Sequence, residues 1–342
     1  MSPGLSVRRL LLPLVPAYRL ALWLRAKRLG TRKEPLRRLR FPVISIGNLS
    51  TGGAGKTPLT IALARALTQG GLHVDVLSRG YGRQSQLPSR VSKAGNAEDF
   101  GDEPLLIAQQ ADVPVYVAGQ RFDAGLLAEG DAVAIAALGE EPKPVIHLLD
   151  DGFQHRQLAR DVDVLLLDRQ DWQEWLLPAG NLREPLRSTH RAHVIAIPAG
   201  DPEFEAELKA WGWTGPIWRL RRKMEVPTAS GPVAAFCGIA RPKQFFSGLE
   251  AAGLILASRT VFPDHHRFTA KDFDRLVDKA RGAGATALVT TEKDRVRLGP
   301  LASRFPDSLP LKTAGLRIEI EDEREVMGWL LARLKLSPPG SS

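Results

Sequence analysis

The chain of 342 residues has a single cysteine, Cys237, which excludes an intramolecular disulfide and points to a reducing, cytoplasmic compartment. Its apolar neighbours, Ala235-Phe236 and Gly238-Ile239, predict a buried strand residue rather than a nucleophile. Aromatic residues make up only 6%, yet the apolar share of 44% is that of a globular protein, so disordered and fibrous classes are excluded. No window reaches the ~20 uninterrupted apolar residues of a membrane-spanning helix, because Pro13, Pro16 and Arg19 break the leucine-rich N-terminal stretch. No small-residue cleavage site follows it, so it does not read as a signal peptide. There is no repeat at a solenoid period, and no His, Cys and Asp set is spaced for a metal site. Acidic residues are almost missing from one place: residues 1–40 hold eleven Lys/Arg against Glu34 alone. The rest of the chain carries 36 basic and 37 acidic residues, so the formal charge of +9 belongs to an arm. A neutral body argues against a nucleic-acid groove, and no nucleic-acid partner is expected.

Within residues 1–40, Leu20, Leu22, Trp23 and Leu24 are followed at helical spacing by Arg25, Lys27 and Arg28. An amphipathic, Arg-rich helix with Tyr18 and Trp23 at its margin suits the surface of an anionic membrane. A first helix docked on the core with a solvated basic face fits the same residues.

What organises the chain is the run from Val43 to Leu59: an apolar strand, a glycine-rich turn, then a helix over Thr60–Gln69. In the binding loop Ser50–Thr57, backbone N–H groups of Thr51, Gly52, Gly53, Ala54, Gly55 and Lys56 are expected to curl round a phosphate, with the positive end of the helix behind it. In such loops the lysine, here Lys56, reaches the terminal phosphates, and the next hydroxyl, here Thr57, takes the Mg²⁺ that bridges them. Ser50 stands where the usual spacing has its first glycine. A phosphate loop needs an acid at the end of a neighbouring strand, and Val145–Asp150, continuing into Asp151, supplies two.

Strands alternating with helices predict an α/β fold with a parallel sheet: His73–Ser78, Val113–Ala118, Val162–Asp168 and Val194–Pro198 join the two strands above. Asp102 and Glu103 begin the helical run Leu105–Gln110, where acids serve as caps without further function. Arg121 follows Val113–Ala118 on a loop at the sheet's ligand-binding end. Arg183, in the turn-rich loop Leu177–Leu186, is a candidate phosphate clamp; a surface pair with Glu184 is the plainer alternative. Composition shifts near Ile217. A second, smaller α/β domain is expected over 218–320, with strands Val233–Cys237, Leu256–Val261 and Ala287–Thr290. Extended segments at about 218–226 and 314–320 are expected to pair as a two-stranded hinge. Its conspicuous loop, Phe262–Phe268, holds His265 and His266; adjacent histidines converge poorly on one ion, which favours an acid–base or hydrogen-bonding role. Thr290–Asp294 reads as a polar turn, and 321–342 as a C-terminal helix with a disordered tail.

Together, the run Ile46–Pro58, Gly101-Asp-Glu-Pro104, Asp150-Asp-Gly-Phe-Gln-His155, Leu182-Arg-Glu-Pro185 and Phe262-Pro-Asp-His265 resembles the lipid A 4′-kinases, or tetraacyldisaccharide 4′-kinases. The resemblance extends from the arm to Asp294 and covers Ser50, since that family carries Ser or Thr at this position. It implies transfer of the γ-phosphate of ATP, with Mg²⁺, to the 4′-hydroxyl of a membrane-held acylated glucosamine disaccharide. It also implies two α/β/α domains, the first spanning 41–217, with ATP in the cleft. Carried over by position, it assigns Lys56 and Thr57 to nucleotide and Mg²⁺, Asp150 and Asp151 to the Mg²⁺ side, and Asp102, assisted by His265, to proton abstraction. Glu103, Arg121, Gln154 and Arg183 fall at site positions. The protein is then expected to be peripheral on the inner face of the cytoplasmic membrane. The rival reading is a membrane-recruited phosphate-loop ATPase switch without a lipid acceptor.

Overall fold

The computed structural model describes residues 8–29, 31, 35–52, 55–137 and 143–336. Its strands are β1 (Val43–Asn48), β2 (His73–Ser78), β3 (Ser89–Arg90), β4 (Val115–Val117), β5 (Val145–Asp150), β6 (Val162–Leu166), β7 (Val194–Pro198), β8 (Ile217–Glu225), β9 (Val233–Cys237), β10 (Leu256–Val261), β11 (Ala287–Thr291) and β12 (Leu311–Ile320). They hydrogen-bond in the order β10-β9-β11-β12-β8-β7-β6-β1-β5-β2-β4-β3. All neighbours are parallel except β12–β8 and β3–β4. This all-but-parallel pairing follows from strands that are apolar along both faces and connected by helices. The chain order reverses around β1, whose neighbours are β5 and β6. At such a switch point the carboxyl ends of the strands leave a crevice.

Alternation along β1 sends Ile44 and Ile46 into one layer with Leu59, Leu63 and Leu67 of the helix Lys56–Gln69. Val43 enters the opposite layer with Leu77 and Leu149. In the C-terminal half, Phe236 and Leu288 face one core while Ala235 and Val289 face another. The C-terminal helix Glu323–Leu334 returns to the first half, where Val326, Leu330 and Leu334 join the core around Ile44.

The segments expected to form a hinge do pair, Gly315 to Ile320 running antiparallel to Leu220–Glu225. They are not a free ribbon, because the first part of β12, Leu311 to Ala314, pairs parallel with β11. One strand therefore belongs to both halves and makes the ladder continuous.

Several local expectations differ from the structure. The helix after the phosphate loop begins at Lys56, not Thr60, because Gly55 takes the left-handed conformation (φ 95°) and ends the turn there. Arg121 is not on a loop; it opens the helix Arg121–Ala137, built mainly from Ala, Leu and Glu, which favour helix. The polar turn at Thr290–Asp294 is the start of the helix Glu292–Leu298, with the Thr291 hydroxyl accepting from the Asp294 N–H. β4 is shorter than Val113–Ala118. Gly53 and Ala54, residues 1–7 of the arm, Glu34 and the tail from residue 337 lie outside the described residues.

The arm is a 3₁₀ turn, Arg9–Leu14, followed by the helix Val15–Arg28. Val15 and Tyr18 pack on the core around Phe153 and Phe204, whereas Leu20, Trp23 and Leu24 are exposed. The helix is thus docked by one face and uncovered on another. Among the described residues, no helix is long and apolar enough to cross a membrane.

Candidate active site

The crevice at the end of β1 begins with the glycine loop. Gly52 (φ 114°) and Gly55 (φ 95°) occupy backbone conformations that residues with a Cβ rarely adopt. The first turn of the helix Lys56–Gln69 carries no acid, and among the described residues no side chain caps it, so its N–H groups and dipole are open to an anion. Ser50 is buried and its hydroxyl accepts from Asn48 Nδ2 at 3.0 Å. The loop's first limb is held by the 181–183 segment: Thr51 N–H donates to the Asn181 carbonyl (2.8 Å) and Arg183 N–H to the Leu49 carbonyl (2.6 Å). Ser50 therefore serves an anchored limb, where a glycine's freedom is not needed.

Lys56 Nζ donates to Asn48 Oδ1 at 3.0 Å and lies 3.5 Å from Asp151 Oδ1. Asp150 closes β5, buried, and its Oδ1 accepts from the Thr60 hydroxyl at 3.1 Å. Thr57 lines the same crevice. Burial, reinforced by the charges of Glu103 and Asp151, pushes the Asp150 carboxyl up to about 7. Asp151, held at φ 48°, behaves oppositely: burial would raise it, but Lys56 and Arg183 hold it well below the usual carboxylate range. Arg183 grips Asp151 with both arms, at 2.9 and 3.0 Å; Glu184, its expected alternative partner, pairs with Arg191 instead. Arg121 donates to the Asp151 carbonyl (3.2 Å) and Gln154 to the Asn48 carbonyl (2.8 Å), which fixes the turn after β5 to the end of β1. Among the described residues, no three His, Cys, Asp or Glu side chains cluster to hold an ion alone. A hydroxyl and two carboxylates beside a phosphate site are nevertheless the hard, sparse donor set that suits Mg²⁺, which keeps waters and phosphate oxygens as its other ligands.

The opposite wall brings together residues far apart in sequence. Asp102 is buried at the start of the helix Asp102–Ala111, where its Oδ1 accepts from the Glu103 N–H at 3.0 Å. Its Oδ2 lies 3.1 Å from His265 Nδ1. Burial would raise the Asp102 pKa; the hydrogen bond to His265 and the charges of Lys293 and Arg297 overcome it and hold the carboxyl below its ordinary range. Asp102 is therefore a helix-start acid and also the partner of His265. Lys293 Nζ donates to Glu103 Oε1 at 2.8 Å and ties the same two walls. Between the walls lies a cavity of about 1230 Å³ that both Lys56 and His265 line, with Leu22, Trp23 and Arg25 of the arm on a third side.

Sequence reasoning missed Asn48, Lys293 and Arg297 as site residues. Asn48 had a visible signal as the polar end of an apolar strand next to the loop. Arg297, in the last turn of the unpredicted helix Glu292–Leu298, had none.

Fold and site define a phosphate-loop protein whose anion cradle faces a carboxylate–imidazole pair across one cavity. The family model for tetraacyldisaccharide-1-P 4′-kinase (LpxK) matches residues 7–335. A tetraacyldisaccharide 4′-kinase of Koribacter versatilis is 41% identical over 296 residues, covering 83% of this chain and 86% of its own. One from Rhodopseudomonas palustris is 36% identical over 343 residues, 97% of this chain and 94% of its own. A crystal structure of LpxK from Aquifex aeolicus in complex with ATP is similar with a TM-score of 0.71 and 31% identity, covering 96% of this chain and 99% of that one. The chain belongs to the tetraacyldisaccharide 4′-kinase family.

Proposed function

We propose that this protein is the ATP- and Mg²⁺-dependent kinase that phosphorylates the 4′-hydroxyl of a tetraacylated glucosamine disaccharide 1-phosphate in lipid A biosynthesis. The observation that carries the reading is the pairing of Lys56, at an uncapped helix end, with the Asp102–His265 pair on the far side of the same cavity. An ATPase switch would use such a proton acceptor on water as well, and it is the relatives' names that speak for the kinase.

In this reading the loop N–H groups and Lys56 hold the nucleotide phosphates, and Thr57, Asp150 and Asp151 hold the ion. Bound Mg-ATP supplies the phosphoryl group and neutralises charge on its oxygens. Arg183 and Arg121 orient Asp151. Glu103 orients Lys293, and Gln154 fixes the turn. The 4′-hydroxyl loses its proton to the Asp102–His265 pair as its oxygen bonds to phosphorus and the bond to the leaving diphosphate breaks. We further propose a division near Ile217 into a nucleotide half carrying Asp102 and a smaller half carrying His265, so that the pair spans the contact between them. The exposed Leu20, Trp23 and Leu24, beside Arg25, Lys27 and Arg28, support an arm that rests on an anionic membrane surface while docked through Val15 and Tyr18.

The test is transfer of labelled phosphate from ATP to the disaccharide lipid by the whole protein, with Lys56→Ala as the blank. Acceptor-independent ATP hydrolysis with no labelled lipid rejects the kinase and returns the switch.

A further inference from the structure

We propose that Arg297 is a positioning residue of the transfer reaction: it holds the Asp102 carboxylate against the His265 ring. The proposal rests on the kinase reading above and names the group that prepares its proton acceptor.

The side chain of Arg297 is 5% exposed and is used on both edges. On its outer edge, Nη1 donates to the Gly238 carbonyl and to Asp294 Oδ1 at 3.0 Å. Asp294 is itself fully buried and fixed by the Gly238 N–H (3.0 Å) and the Thr291 hydroxyl (2.7 Å). With that edge anchored, the other is aimed. Nε donates to Asp102 Oδ2 at 2.7 Å, and Nη2 lies 2.6 Å from the same oxygen and 3.2 Å from His265 Nδ1.

A guanidinium only donates, so His265 Nδ1 either accepts from Nη2 or donates to Asp102 Oδ2. In this proposal Nδ1 donates to the carboxylate, the nearer of the two at 3.1 Å against 3.2 Å, and Nε2 of His265 is the open acceptor. Asp102, with Glu103 N–H on one oxygen and Arg297 and His265 on the other, then acts as orienter. The remaining charged groups around the ring agree. Lys293 stands 3.9 Å from Asp102 but is bound to Glu103. Asp264 stands 4.0 Å from His265 Nε2 and 3.5 Å from Arg297. The Tyr81 ring packs edge-on at 5.4 Å, and Arg267 is turned away to the Gly82 carbonyl.

Removing the guanidinium therefore favours the protonated form of both Asp102 and His265, a sign that a merely structural arginine does not produce. The experiment compares wild type, Arg297→Gln and Arg297→Lys for kcat and ATP KM across pH. It adds an NMR titration of the His265 ring in the substrate-free proteins, assigned with His265→Gln. For Arg297→Gln, the acid limb of the rate profile is expected to rise by about one pH unit and kcat at neutral pH to fall about tenfold or more. ATP KM is expected to stay within about threefold, since the phosphate cradle is on the other wall. The His265 ring is expected to titrate at higher pH. Arg297→Lys keeps the charge but not the two-edged bridge, so the limb is expected to hold while kcat drops severalfold; it decides the matter alone if Arg297→Gln does not fold. An unmoved limb and ring titration in Arg297→Gln, or wild-type kcat in Arg297→Lys, overturns the proposal. If wild type transfers no phosphate to the lipid, the kinase reading fails, and the ring titration still judges Arg297.

Discussion

Gly47, one residue before the end of β1, touches no ligand group, yet replacing it with alanine is expected to damage catalysis through the turn that carries the acids. A Cβ there meets Phe153 Cβ at 2.6 Å and Phe153 N at 2.8 Å, where ordinary contacts start at 3.4 Å. The obstacle is backbone and Cβ, so no rotamer change relieves it. Phe153 cannot retreat freely, being fully buried and covered by the Arg191 guanidinium at 4.5 Å. The turn Asp150–Phe153 must therefore move by the missing ~0.8 Å, against the hydrogen bond from Gly152 N–H to the Ile46 carbonyl (3.0 Å). Overpacking of this kind costs about 1–3 kcal/mol of stability. A displacement approaching 1 Å in a group that positions the reaction costs up to about 10²-fold in rate. Phosphate transfer at saturating ATP, measured beside thermal unfolding, is the assay. Gly130→Ala is the control: Gly130 is exposed in mid-helix with nothing within 4 Å of its Cβ position, and the change is expected to stabilise by about 0.5–1 kcal/mol with unaltered kcat. Wild-type kcat and melting in Gly47→Ala refute the argument that the acid pair is placed by this close approach.

Asp102→Ala and His265→Ala are each expected to lower kcat by about 10²–10⁴ with little change in ATP affinity, and the double variant to be scarcely worse than the poorer single one; multiplicative losses reject a shared role. Deleting the arm through Arg28 is expected to impair action on vesicle-held lipid more than on detergent-dispersed lipid, and vesicle binding to weaken with salt; salt-insensitive, unchanged binding leaves the helix a docked element only. The buried His147 is expected to make stability fall in alkali. Burial lowers its pKa, but Asp75, at 2.7 Å from Nδ1, and Glu129 more than reverse this, so its folded-state value is raised. Its contribution is then full below the ordinary histidine value of about 6.5 and lost as pH climbs through the raised one. The urea midpoints of wild type and His147→Gln should differ more at pH 6 than at pH 9, and an equal gap rejects the charged pair.

Local features carried the phosphate loop, the strand ending in Asp150 and Asp151, and the parallel α/β class, because each is a short-range consequence of period, glycine and chain polarity. Even there the sequence misjudged what a residue does until its neighbours were known: Arg183 reads as a phosphate clamp or a partner of Glu184, and the fold pairs it with Asp151 instead. Helix boundaries at Lys56 and Glu292 escaped for a related reason, since a left-handed glycine and a threonine cap decide them more sharply than apolar spacing. The resemblance to a family paired Asp102 with His265 across 163 positions, which no periodicity reaches. Only tertiary structure decided the rest. Arg297 meets both because two helix ends from different halves of the sheet face each other, and the C-terminal helix closes the first core because β12 carries the chain back across β8. Such contacts depend on the summed geometry of twelve hydrogen-bonded strands, and a charge far down the chain acquires its partner only when that sheet has formed.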